Sequence, residues 1–476
     1  MHKQRNIILW LLATTMFLVV LDSAIVNVAL PAIKSALHFD SSALQWVLTA
    51  YILTFGGFLM LGGRIADLYG RRNVLVWGIG GFTLFSLLLG LATSDVMMIA
   101  LRAFQGLAAA FMAPTALSIL LTTFEEGPER NRALSIWSMV ASGGAAAGVF
   151  LGGLLTQYLG WRWCFFVNVP IGILAIMGIM KYVPAHIKEA RDKHLDLPGA
   201  ILVTGGLMTL VYALTQATES GWGSVATLVS FAVSALLLIG FFWNETKAKH
   251  PLVPLSIFRI RNVSGGNLMM LPVSAGALGM FFFLSVYVQN ILQFPPLVSG
   301  LAFLPIPLII GVISLKAPKL LTKFGLKPLI VTGLSLIATG TFALSFLGTE
   351  SSYWFHILPA FLLLAVGFGL SFLSVTIAST TGVPGNEAGL ASGLVNTSQQ
   401  IGGALGLAIL AVVASSATTQ DINQGRAIAE ATVHGYQLAF LTASILMVVA
   451  LLIAIFVIRT PKQTGAASAD PAPSHV

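Results

Sequence analysis

Apolar runs of about 20 residues, the length a helix needs to cross a bilayer, follow one another along almost the whole chain. They fall near 7–31, 44–63, 73–93, 97–121, 134–158, 165–183, 198–218, 225–243, 263–290, 297–316, 328–348, 355–380, 388–414 and 437–459. Water-filled space between so many apolar helices is not available to a soluble fold. Only 9% of residues are charged, against about 25% in an ordinary soluble domain. The expected fold class is therefore an all-α polytopic membrane protein of about 14 transmembrane helices. The basic start and apolar centre of MHKQRNIILWLLATTM resemble a signal peptide. Asp22 interrupts the apolar run, however, and no small-x-small cleavage site follows, so a retained first helix is expected.

The net charge of +8 and pI near 9.6 do not point to nucleic acid, because the cations lie in short clusters between apolar runs rather than on one face. They read as topology signals. With the N-terminus in the cytoplasm, about 21 of the 25 Lys and Arg residues fall in or beside cytoplasmic segments; Lys34, Arg102, Arg162 and Arg426 are the exceptions. Both termini are then expected on the cytoplasmic side, with a disordered tail over 461–476. A single cysteine, Cys164, excludes an internal disulfide. The eight histidines show no HExxH spacing, and no nucleophile elbow occurs, so neither metal, cofactor nor enzyme chemistry is expected.

Two loops repeat. GGRIADLYGRRNVLVWG from Gly62 and KAPKLLTKFGLKPLIVTG from Lys316 superpose when Gly70 is set on Gly325, and the same offset of about 255 brings RALSIW from Arg132 over AGLASG from Ala388. A duplicated six-helix bundle accounts for this: 1–195 and 246–460, with two inserted helices in 196–245.

Asp22 is the feature that the membrane makes expensive, at least about 2.5 to 3.5 kcal/mol for a charge at mid-depth. It lies about 12 Å from the expected outer end of the first helix, and Arg102 about 9 Å deep on the fourth, by a rise of 1.5 Å per residue. At that common level the two charges are expected to pair directly or through water. Desolvation favours the neutral carboxyl and a guanidinium favours the carboxylate, so a change of conformation that alters the balance would move a proton. A static ion pair is the alternative.

LDSAIVNVALPAI, GGRIADLYGRR, LRAFQGLAAA, GAAAGVFLGG with WRWCFFVNVPIG, PLVPLSIFRIRN and AGLASGLVNTSQQIGGALG resemble, in order and over nearly the whole chain, the fourteen-helix drug:proton antiporters of the major facilitator superfamily. The resemblance implies two six-helix bundles working by alternating access, in a bacterial cytoplasmic (inner) membrane, with the proton as coupling ion. It implies export of amphipathic drugs or biocides, and a monomer suffices. A small-metabolite importer on the same fold, or an exporter of one endogenous metabolite, remains the alternative. Gly148-Val149 departs from the family's Gly-Pro. In the family the loop carrying Gly63, Asp67, Gly70, Arg71 and Arg72 clasps the two bundles, and Arg130 and Arg132 are candidate partners for Asp67.

Gly144, Gly148 and Gly152, with Gly153 alongside, bare a strip of backbone on the fifth helix, and Gly389, Gly393, Gly402 and Gly406 do so in the second half. Such strips admit close helix packing, and their repeat-related placement suggests the interface that loosens in alternating access. For the substrate cavity the candidates are Asn27, Tyr51, Gln105, Asn168, Tyr287, Asn396, Gln399 and Gln400, with Phe281 to Phe283 as aromatic walls; the alternative is that these phenylalanines, with Met269 and Met270, face lipid. No acid other than Asp22 falls clearly within the membrane, which favours monovalent cations, zwitterions or neutral amphiphiles over dications.

Overall fold

The computed structural model describes residues 2–40, 43–124, 128–184, 196–249, 251–253, 255–380 and 388–458. The expected tail at 461–476 lies outside them. The described residues form sixteen α-helices: α1 His2–Leu37, α2 Trp46–Tyr69, α3 Arg71–Gly90, α4 Asp95–Thr123, α5 Pro128–Tyr158, α6 Trp163–Phe166, α7 Asn168–Tyr182, α8 Leu197–Ser220, α9 Val225–Lys247, α10 Arg261–Asn290, α11 Pro296–Phe303, α12 Pro305–Phe324, α13 Leu326–Leu344, α14 Leu358–Thr380, α15 Ala388–Asn423 and α16 Ile428–Phe456. Among the described residues 13 segments are long and apolar enough to span a membrane, α6 with α7 making one and α11 running into α12 another. α5, with 31 residues, is the fourteenth.

The duplication is visible in the packing. α1 lies on α5 as α10 lies on α15; α2 on α4 as α12 on α14; α3 on α4 and α7 as α13 on α14 and α16. The two aligned glycines sit at equivalent turns, Gly70 with φ 90° and Gly325 with φ 82°, a region that costs any residue with a Cβ. α2 does not stop near residue 63 as its composition suggested. It continues through Tyr69, so the joint to α3 is Gly70 alone.

Between the halves, α8 and α9 pair, and α8 lies across the seam where α2 meets α15. Leu53 of α2, Val211 of α8 and Ala408 of α15 share one buried cluster, and Gln45 Nε2 donates to Thr215 Oγ1 at 3.1 Å. α9 faces outward along most of its length, with Leu228, Leu236, Ile239, Phe242 and Trp243 exposed. At the base of this pair Asp196 is an N-cap, accepting from Gly199 N at 2.9 Å, and it also accepts from Asn244 Nδ2 at 2.7 Å. Glu245 accepts from Val253 N at 2.8 Å. Both carboxylates are buried, and sequence reading missed them because they stand at helix ends rather than inside an apolar run.

Phe282, Phe283, Met269 and Met270 are core residues of the second half, not lipid-facing ones. Phe281 is partly buried and stacks on Phe368 at 6.3 Å between ring centroids.

Candidate functional site

The site is built around Asp22, and its position depends on how closely α4 lies on α2. Gly106 makes that possible: a Cβ there would fall 2.2 Å from the carbonyl oxygen of Tyr51. Gly62, one helical stretch away, would meet Ala110 O at the same 2.2 Å, and Thr54 Oγ1 donates across to Ala103 O at 2.8 Å. With the helices this close, the Arg102 side chain is held from both sides. Its Nε donates to Val47 O at 2.8 Å, and its guanidinium lies 4.3 Å from the centre of the Tyr51 ring, a cation–π distance.

Arg102 Nη1 donates to Asp22 Oδ2 at 2.5 Å, and the two side chains are 1% and 0% exposed. Asp22 Oδ1 accepts from Gln105 Nε2 and from Asn168 Nδ2, both at 2.9 Å. Gln105 closes the circuit, since its Oε1 accepts from Arg102 Nη1 at 2.5 Å while its Nε2 also reaches Ser86 Oγ at 2.8 Å. A carboxylate with a guanidinium and two amide donors is well satisfied as an anion. The shell is less complete on its far side, where Arg102 Nη2 and Asn168 Oδ1 are buried with no hydrogen-bond partner.

The expected pair is therefore present, but its geometry is not the one read from the helix ends. α1 extends to Leu37, so Asp22 stands about 22 Å from that end at 1.5 Å per residue, not 12 Å. The extra length lies beyond Pro31, which falls inside the helix rather than at its end.

Tyr51, Gln105 and Asn168, expected in the substrate cavity, belong instead to the sealed shell of Asp22 and Arg102, with exposures of 2%, 0% and 0%. Tyr287 is also fully buried, its hydroxyl donating to Gly348 O at 2.6 Å, which fixes it inside the second half and leaves it no surface on a cavity. Asn27 lies at the seam between the halves, its Nδ2 donating to Phe281 O of α10 at 3.5 Å. Of the second-half amide candidates, Asn396 is exposed and Gln399 and Gln400 are half-buried. Gln400 packs across the seam, 2.5 Å from where a Cβ on Gly56 would stand.

The glycine strip also faces a different partner from the one expected. Cβ atoms on Gly144, Gly148 and Gly152 would meet Phe17 at 3.3 Å, Ala24 at 2.7 Å and Ile25 O at 2.9 Å, all on α1 of the same half. Gly402 and Gly406 meet Leu271 and Ala275 of α10 in the same way. The strips thus weld each half internally. Gly153 and Gly393 do cross to the other half, the first against Pro296 O at 2.5 Å and the second against Met60 at 3.5 Å. α5 is unbroken at Val149, so its valine leaves a continuous helix. Gly389 has no described side-chain surroundings.

In the expected latch, Arg71 Nη1 donates to Thr122 Oγ1 at 3.3 Å, tying α3 to α4. Gly63 packs against Pro114 and Arg72 is half-buried. Arg132 lines a small pocket with Arg5, Asn6, Leu9, Phe124 and Glu129, where Arg5 and Glu129 pair at 3.3 Å. The side chains of Asp67 and Arg130 lie outside the described set. Among the described residues no group of three His, Cys, Asp or Glu is placed to hold a metal.

Duplicated six-helix halves, a spanning pair between them and an ion pair buried in the first half define a secondary transporter. Residues 12–407 match the family model of the Major Facilitator Superfamily, and the chain belongs to that family. It is a transporter rather than an enzyme. It is 40% identical to the puromycin resistance protein of Streptomyces alboniger over 96% of this chain and 92% of that one. It is 41% identical to the cephamycin export protein of Amycolatopsis lactamdurans over 86% and 85% respectively. Among solved structures, a nucleoside transporter shares the fold with a TM-score of 0.67 at 11% identity, covering 94% of this chain and 99% of that one.

Proposed function

We propose that this protein is a proton-coupled antiporter exporting amphipathic drugs or antibiotics by alternating access, as a monomer in a bacterial cytoplasmic membrane with both termini in the cytoplasm. The observation that carries the reading is the fully buried Asp22–Arg102 pair with its amide shell. Breaking such a pair inside a low-dielectric interior is costly unless something neutralises the carboxylate, and a proton does so at no steric expense. Once Asp22 is protonated it no longer attracts Arg102, which keeps Val47 O, Gln105 Oε1 and the Tyr51 ring. The charge tie of α1 to α4 is then lost while Arg102 stays in place, leaving the weaker bond from Gln105 Nε2, and a proton has been exchanged for a loosened α1.

Relatives named for resistance to, or export of, antibiotics support outward transport of amphiphiles. Asp22 is already committed to Arg102, and the buried Asp196 is capped by Gly199 and Asn244. This charge balance favours neutral, zwitterionic or monocationic substrates. Asp67, with Gly63, Gly70, Arg71, Arg72, Arg130 and Arg132, is assigned to the cytoplasmic latch.

The test is proton movement in everted vesicles carrying an inside-acid gradient. Puromycin and a panel of lipophilic monocations and dications are added to the wild type and to Asp22→Asn. Substrate-triggered collapse of the gradient in the wild type, absent in Asp22→Asn, is expected. Saturable substrate flux with no proton response in either protein would refute coupling.

A further inference from the structure

Pro31 has no N–H, so the carbonyl four residues earlier in α1, that of Asn27, has no helical donor. A buried carbonyl without a partner is costly. Here the partner comes from the other half: Ser285 Oγ of α10 donates to Asn27 O at 2.9 Å. One turn further along α10, on the same face, Gln289 Nε2 donates to the next carbonyl, Val28 O, also at 2.9 Å. Ser285 is 0% exposed and Gln289 9%, so water does not compete for either bond.

These bonds fall where α1 and α10 converge toward the end opposite the chain termini. A second cross-half contact stands beside them: Gly153 of α5 against Pro296 O, and Gly300 of α11 against Val149 O, each at 2.5 Å from a built Cβ. Gln157 Oε1 accepts from Leu297 N at 3.1 Å at the same place.

We propose that Ser285 and Gln289 are the outer-gate latch of the transporter, holding the closed outer side by bonding Asn27 O, which Pro31 leaves without a helical donor, and the neighbouring Val28 O. This rests on the orientation and alternating access given under the proposed function. Opening outward then requires the two side chains to leave Asn27 O and Val28 O, and water entering the gap replaces them. The proline contributes twice: it removes the competing intrahelical donor, and it weakens α1 at the point that must bend. Asp22 lies five residues below Asn27 on the same helix, so release of α1 from Arg102 and release of α1 from α10 act on one element.

The test reads the gate directly. In a Cys164→Ala background, spin labels are placed at exposed positions on the two helices, Ser35→Cys and Asn290→Cys, and the inter-label distance distribution is measured in lipid nanodiscs without substrate. One net hydrogen bond shifts a two-state equilibrium about fivefold, so Ser285→Ala with Gln289→Met raises the ratio of long to short distances about 30-fold. Pro31→Ala touches neither side chain but restores an N–H for Asn27 O, and it shifts the same ratio in the same direction. Distance distributions unchanged from the parent in both variants would overturn the latch. The readout needs no proton gradient, so a failure of antiport in vesicles leaves it standing, and its own failure leaves antiport standing.

Discussion

Replacing Arg102 by methionine isolates what the buried pair does for the fold. The thioether fills much of the same volume but donates nothing, so Asp22 keeps only Gln105 Nε2 and Asn168 Nδ2, each at 2.9 Å. A buried carboxylate stripped of its counter-charge costs about 3–5 kcal/mol. Asp22→Asn is milder, because Arg102 keeps Val47 O at 2.8 Å and Gln105 Oε1 at 2.5 Å, although the new amide hydrogens face the Gln105 and Asn168 donors. The double variant holds no buried charge at this site. It is therefore expected to be more stable than the sum of the two losses allows, by about 2 kcal/mol, within the range measured for directly interacting residues. Apparent unfolding temperature by tryptophan fluorescence, with thermal inactivation rates at a fixed temperature because unfolding of such chains is not reversible, gives the ranking. Arg102→Met is expected lowest, and the double variant above it. If the double variant instead falls by the sum of the singles, the two side chains do not balance one another and the reading of the site fails.

Two further predictions follow from the backbone. Gly148→Ala places a Cβ 2.7 Å from Ala24 Cβ and 2.8 Å from Leu21 O, whereas Gly143→Ala meets nothing within 4 Å; the first is expected to lose about 1–3 kcal/mol by overpacking and the second to be neutral or slightly stabilising, read by the same unfolding assay. Gly70→Ala and Gly325→Ala, at φ 90° and 82°, are each expected to cost about 1–3 kcal/mol, and similar losses at the two positions would be the energetic counterpart of the repeat.

The repeat and the ion pair were legible in the sequence because each violates what a membrane tolerates by chance. Setting Gly70 over Gly325 by alignment predicts equivalent turns, and both adopt positive φ. Asp22 and Arg102 stand out since few charges lie in apolar runs. The amides were harder. An amide in a membrane helix serves a cavity or a carboxylate depending on which way the helix is turned, and sequence fixes that rotation only relative to another marked residue. Such a marker existed for Gln105, three residues from Arg102 and so on the same helical face, but Asn168 follows the short α6, where a break resets the phase. The glycines carry the same ambiguity. A spacing of four identifies a strip without saying what it faces, and Gly153, one position and about 100° round from Gly152, looks across to α11 while Gly152 looks at α1. Asn27 shows what pattern reading alone leaves out. Its side chain drew attention as a polar group in a membrane helix, yet the atom that matters most is its carbonyl, exposed by a proline four residues on. One helix of 36 residues, α1, therefore carries the carboxylate paired with Arg102, the face welded to α5 and the carbonyls that meet α10. Under the proposed coupling, protonation at Asp22 changes what holds α1 to α4 without touching what holds it to α5, so α1 and α5 are expected to move together against α10.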